Sequence, residues 1–185
     1  MNLLKGYVII VTTNHGGIIM ARNVFYSFHY QNDISRVMVV RNRWVTFGDQ
    51  GTSGVIDHAV FEKIQRQGDG AVKRWINEQL VGTSVTVVLI GSNTLNRYYV
   101  QYEICESLKR GNAVIGVYIN KIRGFNGNVE PPCNTHTVIG YYEDNRPAYF
   151  DKVATAIYDY VTDDGYSNLG KWVESAAKRG GKIIG

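Results

Sequence analysis

The sequence predicts a three-layer α/β domain with a mainly parallel central sheet, and two observations carry that prediction. The segments Ser84–Ile90 and Ala113–Ile119 are continuous apolar runs rich in β-branched residues. A run that is apolar on both faces belongs to a strand covered from both sides, as in a parallel sheet. Between the two, Leu95–Arg110 carries Val100, Ile104 and Leu108 at four-residue spacing, the repeat of an amphipathic helix. Asn93 or Thr94 is placed to cap its start and Gly111 to end it. Strand, helix and strand follow within about 35 residues, a βαβ unit whose crossover is expected to be right-handed.

The remaining elements follow in chain order. Asn23–Phe28 reads as a further strand, and Asp33 as the cap of a helix from about Ile34 to Val45. Gly48–Gly54 is rich in glycine and serine and reads as a loop. Asp69–Leu80 places Val72, Trp75, Ile76 and Leu80 on one stripe of a second helix. Downstream, Arg123–Thr135 contains Gly124, Gly127 and Pro131-Pro132 and is expected to be irregular. Val138–Tyr142 reads as a weaker strand, Tyr149–Val161 as a helix, and Leu169–Lys178 as a last helix ending at Gly180-Gly181. This alternation is of the flavodoxin-like type. Residues 1–20 read as an edge strand or as an extension. The division adopted is an extension over 1–20 and one domain over 21–185.

Composition excludes several classes of function. The chain has 185 residues, 44% hydrophobic and 19% charged, which is a globular balance. Twenty basic against sixteen acidic residues give a net charge of +4, spread in short pairs such as Arg41/Arg43 and Lys109/Arg110. So dispersed an excess gives no nucleic-acid footprint. Cys105 and Cys133 match neither a disulfide framework nor a zinc spacing, and reduced thiols of a cytoplasmic protein are expected. No apolar run approaches the ~20 residues of a membrane helix, and no signal peptide is recognisable.

In an open parallel sheet, ligands bind beyond the carboxyl ends of the strands. That rule selects Ser27-Phe28-His29-Tyr30, Gly91-Ser92-Asn93 and Asn120-Lys121. Backbone amides after Ser92-Asn93 offer an anion site, although capping alone also explains both residues. No dinucleotide glycine fingerprint, P-loop lysine or serine-nucleophile elbow is present. His15, His29, His58 and His136 are scattered, with no pair spaced for a metal, so no metal is expected. His29 reads as a wall residue. Phe28, Tyr30, Tyr99 and Tyr102 are expected near the cleft, where they would stack on a flat ring.

The carboxylates separate by their helical neighbours. Glu106 has Lys109 and Arg110 three and four residues on, the spacing of a solvated ion pair, and Glu62 and Glu78 also stand beside basic residues. Glu103 has only Tyr99, Val100, Glu106 and Ser107 at those spacings. It borders the apolar stripe without a cation of its own helix, so it faces either solvent or a cleft.

These residues resemble a known family. Asn23–Phe28 followed by Asp33 resembles the first strand and turn of TIR domains. Ser92 and then Tyr99-Val100-Gln101-Tyr102-Glu103-Ile104 resemble the TIR helix in which an aromatic residue precedes the catalytic glutamate by four. The closer likeness is to the TIR-like signalling component of bacterial Thoeris antiphage systems. Its segments are Phe25–Tyr30, Val40–Val45, Thr83–Ser92, Asn96-Arg97, Tyr102–Ile104 and Gly111–Gly116, all in order. The likeness covers about residues 22 to 120 and thins afterwards. Tyr99 stands where the family commonly has tryptophan, which preserves an aromatic wall.

The resemblance implies a TIR-like fold and an enzyme that consumes NAD as substrate, with no further cofactor. Such proteins break the nicotinamide–ribose bond and cyclise the ADP-ribose product into a diffusible signal that activates a separate effector. Activity is expected to wait on a phage-derived trigger, and a homo-oligomer is compatible with the family. By position, Glu103 is the expected catalytic residue. Phe28 and Tyr99 would hold a ring or ribose, Ser27, Ser92 and Asn93 would contact polar groups, and His29 would line the site. Two other readings stay open: a non-catalytic interaction module, and a glycosyl-transfer enzyme similar to nucleoside deoxyribosyltransferases.

Overall fold

A computed structural model describes residues 7–13, 19–45 and 58–182. The central sheet has five strands: β1 (Tyr7–Thr13), β2 (Ile19–Ser27), β3 (Val85–Ile90), β4 (Ala113–Tyr118) and β7 (Ala156–Asp159), in the order β1-β2-β3-β4-β7. β2, β3, β4 and β7 are parallel, while β1 pairs antiparallel along the free edge of β2. Of the two readings for the first twenty residues, the edge strand describes Tyr7–Thr13. A separate hairpin joins β5 (Val138–Tyr141) and β6 (Pro147–Tyr149).

The helices are α1 (Tyr30–Val45), α2 (His58–Gln65), α3 (Asp69–Gln79), α4 (Tyr98–Lys109), α5 (Phe150–Val153) and α6 (Gly165–Arg179). Strand alternation sorts the core between two faces. Phe25 of β2 packs with Val72 and Ile76 of α3, Val100 and Ile104 of α4, and Phe150 of α5. Val24 and Tyr26 point the other way, to Val37 and Val40 of α1 and Leu169 and Val173 of α6. β3 is buried throughout, as a strand between two helical layers must be. At the end of α4, Gly111 takes φ +77. There its N–H reaches the Leu108 carbonyl and Asn112 N–H reaches that of Ser107, which closes the helix.

Two expectations are corrected. Tyr149–Val161 is not one helix: α5 stops at Val153, Ala154 is extended (φ −60, ψ 137), and β7 follows. The Thr155 N–H donates to Val114 carbonyl oxygen at 2.7 Å, so pairing with β4 overrides the local helical spacing. Asp33 is not a cap but lies in the first turn of α1, because the chain already turns at Tyr30 and Asp33 N–H meets the His29 carbonyl at 3.0 Å. α2 is an additional helix. The expected loop Gly48–Gly54 lies outside the described residues. Among the described residues no helix is long and apolar enough to cross a membrane.

This connectivity creates a topological switch point, the place of the ligand crevice in doubly wound sheets. The chain leaves β2 into α1 on one face of the sheet and leaves β3 into α4 on the other. The carboxyl ends of β2 and β3 therefore lie where the covering helices part, the position that doubly wound sheets use for ligands.

Candidate active site

Ser27 ends β2 and, by alternation, shares the α4 face with Phe25. One turn and a half into α4, Glu103 turns inward and is fully buried. The Ser27 hydroxyl donates to Glu103 Oε2 at 2.6 Å, a length typical of a hydroxyl on a carboxylate. Glu103 is further fixed through its backbone: the Ser107 hydroxyl donates to the Glu103 carbonyl at 2.6 Å, and Thr86 Oγ1 of β3 lies 2.7 Å from Ser107 Oγ. This buried polar ladder pins α4 to the sheet and sets the direction of the carboxylate.

A second network surrounds the end of β3. The Thr94 hydroxyl accepts the Gly91 N–H at 2.8 Å and donates to Asp33 Oδ2 at 2.9 Å. The Asp33 carboxylate presses so closely on Gly91 that a Cβ there would collide with it. The Ser92 hydroxyl donates to Glu130 Oε2 at 2.7 Å, and Arg36 Nη1 donates to Glu130 Oε1 at 3.1 Å. Arg36 also donates to the carbonyls of Ile122 and Asn128, which ties the irregular segment after β4 to α1. Asn120 holds the same segment through paired contacts with the Glu130 backbone.

The expected site residues are thus divided. Ser27, Glu103 and Tyr99 lie on the α4 face, with Ser92 and Asn93 at the end of β3. Asn93 accepts a bond from Asn96 rather than capping α4. Tyr99 is 9% exposed, packs edge-to-face on Tyr98 at 5.2 Å, and has its hydroxyl held above its usual range by burial and by Asp69. The aromatics do not form one cluster: Phe28 and Tyr30 pack in the core of the α1/α6 face, opposite Tyr99 and Tyr102. Glu106 pairs with Lys109 at 2.9 Å. No group of metal-ligating side chains occurs among the described residues.

Sequence reasoning missed Asp33, Thr94, Arg97 and Glu130 as members of this region. Asp33 follows the resembling strand with the spacing of a helix cap, and Arg97 lies in the resembling pair Asn96-Arg97, so neither carries a separate site signal. Glu130 lies in an aperiodic segment that carries no local signal.

Burial shapes two of the titrating groups in opposite senses. Burial, followed by the nearby Arg97 charge, pushes His29 down to about 4, so it is neutral at pH 7. Burial pushes Asp33 up to about 6, against the opposing Thr94 hydrogen bond. From about pH 4 to 6.5 the unfolded chain binds more protons at His29, so that contribution to stability rises with pH. Over about pH 4 to 6 the folded chain binds more protons at Asp33, so that contribution falls as pH rises. Asp33→Asn keeps an oxygen for Thr94 and removes only the second effect. Relative to wild type, its unfolding free energy is expected to rise by on the order of 3 kcal/mol between pH 4 and 7. Urea titrations across that range measure it, and a constant difference would refute the coupling.

Comparison with known proteins identifies the family of the chain. The family model described as "Thoeris protein ThsB, TIR-like domain" matches residues 25–123, the span from β2 to just beyond β4. A Bacillus cereus (strain MSX-D12) protein named "Putative cyclic ADP-D-ribose synthase ThsB1" is 38% identical over 191 aligned positions. The alignment covers 83% of this chain and 100% of that relative.

Proposed function

Because the chain belongs to the ThsB TIR-like family of Thoeris proteins, we propose that it cleaves NAD between nicotinamide and ribose and cyclises the ADP-ribose product. The observation that carries this reading is Glu103, buried on the inner face of α4 and oriented by Ser27 at the crevice. The C1′–N bond breaks with its electron pair passing to the pyridinium ring, so nicotinamide leaves neutral and needs no proton. The ribose is left with oxocarbenium character, which the Glu103 carboxylate stabilises electrostatically. A ribose hydroxyl or an adenine nitrogen of the same molecule then attacks C1′. A hydroxyl nucleophile passes its proton to solvent in that step, and an adenine nitrogen attacks through its lone pair with no proton to lose. Holding both ends of one substrate together favours this closure over attack by water.

In this scheme Ser27 positions the carboxylate, and Tyr99 supplies an aromatic wall. Ser92 and Asn93 offer polar contacts at the end of β3. His29, uncharged at neutral pH, lines the same end, while Phe28 supports β2 from the opposite core. NAD is substrate, and no other cofactor has a role. Complete burial of Glu103 supports a resting enzyme whose carboxylate is covered until a phage-derived trigger acts in the cytoplasm. The product is the signal for a separate effector, and self-association is one way in which a trigger would act.

The test is to incubate purified protein with NAD, alone and with phage lysate or capsid protein, and to identify products by chromatography and mass. Nicotinamide plus a cyclic nucleotide is the expected result. Intact NAD under every condition would leave an interaction module. Turnover of free nucleosides without a trigger would indicate a deoxyribosyltransferase-like enzyme.

A further inference from the structure

The charged groups at the end of β3 are unequally engaged. Asp33 and Glu130 are already engaged, the first by Thr94 and the second by Ser92 and Arg36. Arg36 itself is spent on Glu130 and on the carbonyls of Asn32, Ile122 and Asn128. Arg97 is different. It is the N-cap residue of the twelve-residue α4, where it forms no side-chain cap, and its Nε is buried without a hydrogen-bond partner among the described residues.

His29 gives an independent sign of a missing ligand. It is 2% exposed, and neither ring nitrogen has a hydrogen-bond partner among the described residues. A buried imidazole with both nitrogens unmet is costly unless something completes it. His29 lies two residues beyond the end of β2, and the Arg97 charge acts on it. The His29 carbonyl accepts the Asp33 N–H, the Asp33 carboxylate accepts the Thr94 hydroxyl, and the Thr94 carbonyl accepts the Arg97 N–H, so one chain of hydrogen bonds brings His29 to the positive end of α4.

We propose that Arg97, His29 and the first turn of α4 form the subsite for the diphosphate of NAD. The inference rests on the NAD-cleaving reading above. Arg97 precedes Glu103 by six residues, roughly 9 Å along the axis at 1.5 Å per residue. A ribose with its 5′-phosphate covers much of that interval and the length of the Arg97 side chain the rest, so the anomeric carbon reaches Glu103 while the diphosphate meets Arg97. Guanidinium donors suit phosphate oxygens, and neutral His29 has one N–H to give. Anchoring the diphosphate also bends the dinucleotide back toward its own ribose, which cyclisation requires.

The test compares kcat/KM for NAD and for nicotinamide riboside, which has the same scissile bond and no phosphate, in trigger-activated wild type, Arg97→Ala and Arg97→Lys. Arg97→Ala is expected to shrink the preference for NAD over the riboside by roughly 10- to 100-fold, chiefly through KM. Arg97→Lys is expected to recover part of it, and His29→Phe to reduce it less than Arg97→Ala. Equal loss on both substrates would make Arg97 structural and overturn the subsite, as would an unchanged preference. Wild type that cleaves neither substrate would instead remove the cyclase reading itself.

Discussion

Glu103→Gln is expected to lower nicotinamide release by roughly 10³-fold or more while leaving the protein folded. The substitution keeps the shape of the side chain and an oxygen that accepts the Ser27 hydroxyl, now 2.6 Å from Oε2. The Ser107 and Thr86 ladder, which engages only the backbone of Glu103, is untouched. Stability should therefore change by no more than about 1 kcal/mol, the worth of one weakened hydrogen bond. The negative charge facing the developing oxocarbenium is lost, and Asp69 of α3, on the same face, is already paired with Lys73 at 2.9 Å. Asp33 and Glu130 belong to the neighbouring network at the end of β3. Normal turnover by the variant would show that Glu103 is not catalytic. Thermal melting beside the NAD assay separates loss of chemistry from loss of fold.

The largest stability effect is expected at Arg36→Met. Arg36 is 3% exposed and makes four hydrogen bonds, to the carbonyls of Asn32, Ile122 and Asn128 and to Glu130. Methionine fills much of the volume but leaves those acceptors unmet, with Asp33 buried beside them. Removing one partner from such a network costs about 3–5 kcal/mol. Hydrogen exchange should show protection lost first over residues 122–130, because Arg36 is what ties that segment to α1. Ser92 would lose its fixed partner with it, since Glu130 is held from both sides. A change below about 1 kcal/mol would mean that the segment is anchored by other contacts.

How far the sequence disclosed this molecule varies with the range of the interactions involved. Val85–Ile90 and Ala113–Tyr118 were legible because strands covered on both faces must be apolar throughout. Spacing alone left Glu103 between solvent and a cleft, and the family resemblance singled it out; in the structure its carboxylate has a partner far away in sequence. That partner is Ser27, 76 residues away. β7 was not legible, since Phe150, Val153 and Ile157 satisfy helical spacing and only pairing with β4 selects the strand. Phe28 was misplaced relative to Tyr99 because a one-residue step along β2 exchanges the faces of the sheet. Glu130 reaches the site through Arg36, a contact across 94 residues that leaves no local trace.

The most direct measurement is a crystal structure of the Glu103→Gln variant with NAD bound, trapped before cleavage. The expected density places the nicotinamide ribose in the crevice between β2 and α4, its anomeric carbon in van der Waals contact with the substituted side chain beside Ser27. A dinucleotide seated elsewhere on the molecule, with that side chain still packed away from it, would contradict the assignment of this carboxylate to the chemistry.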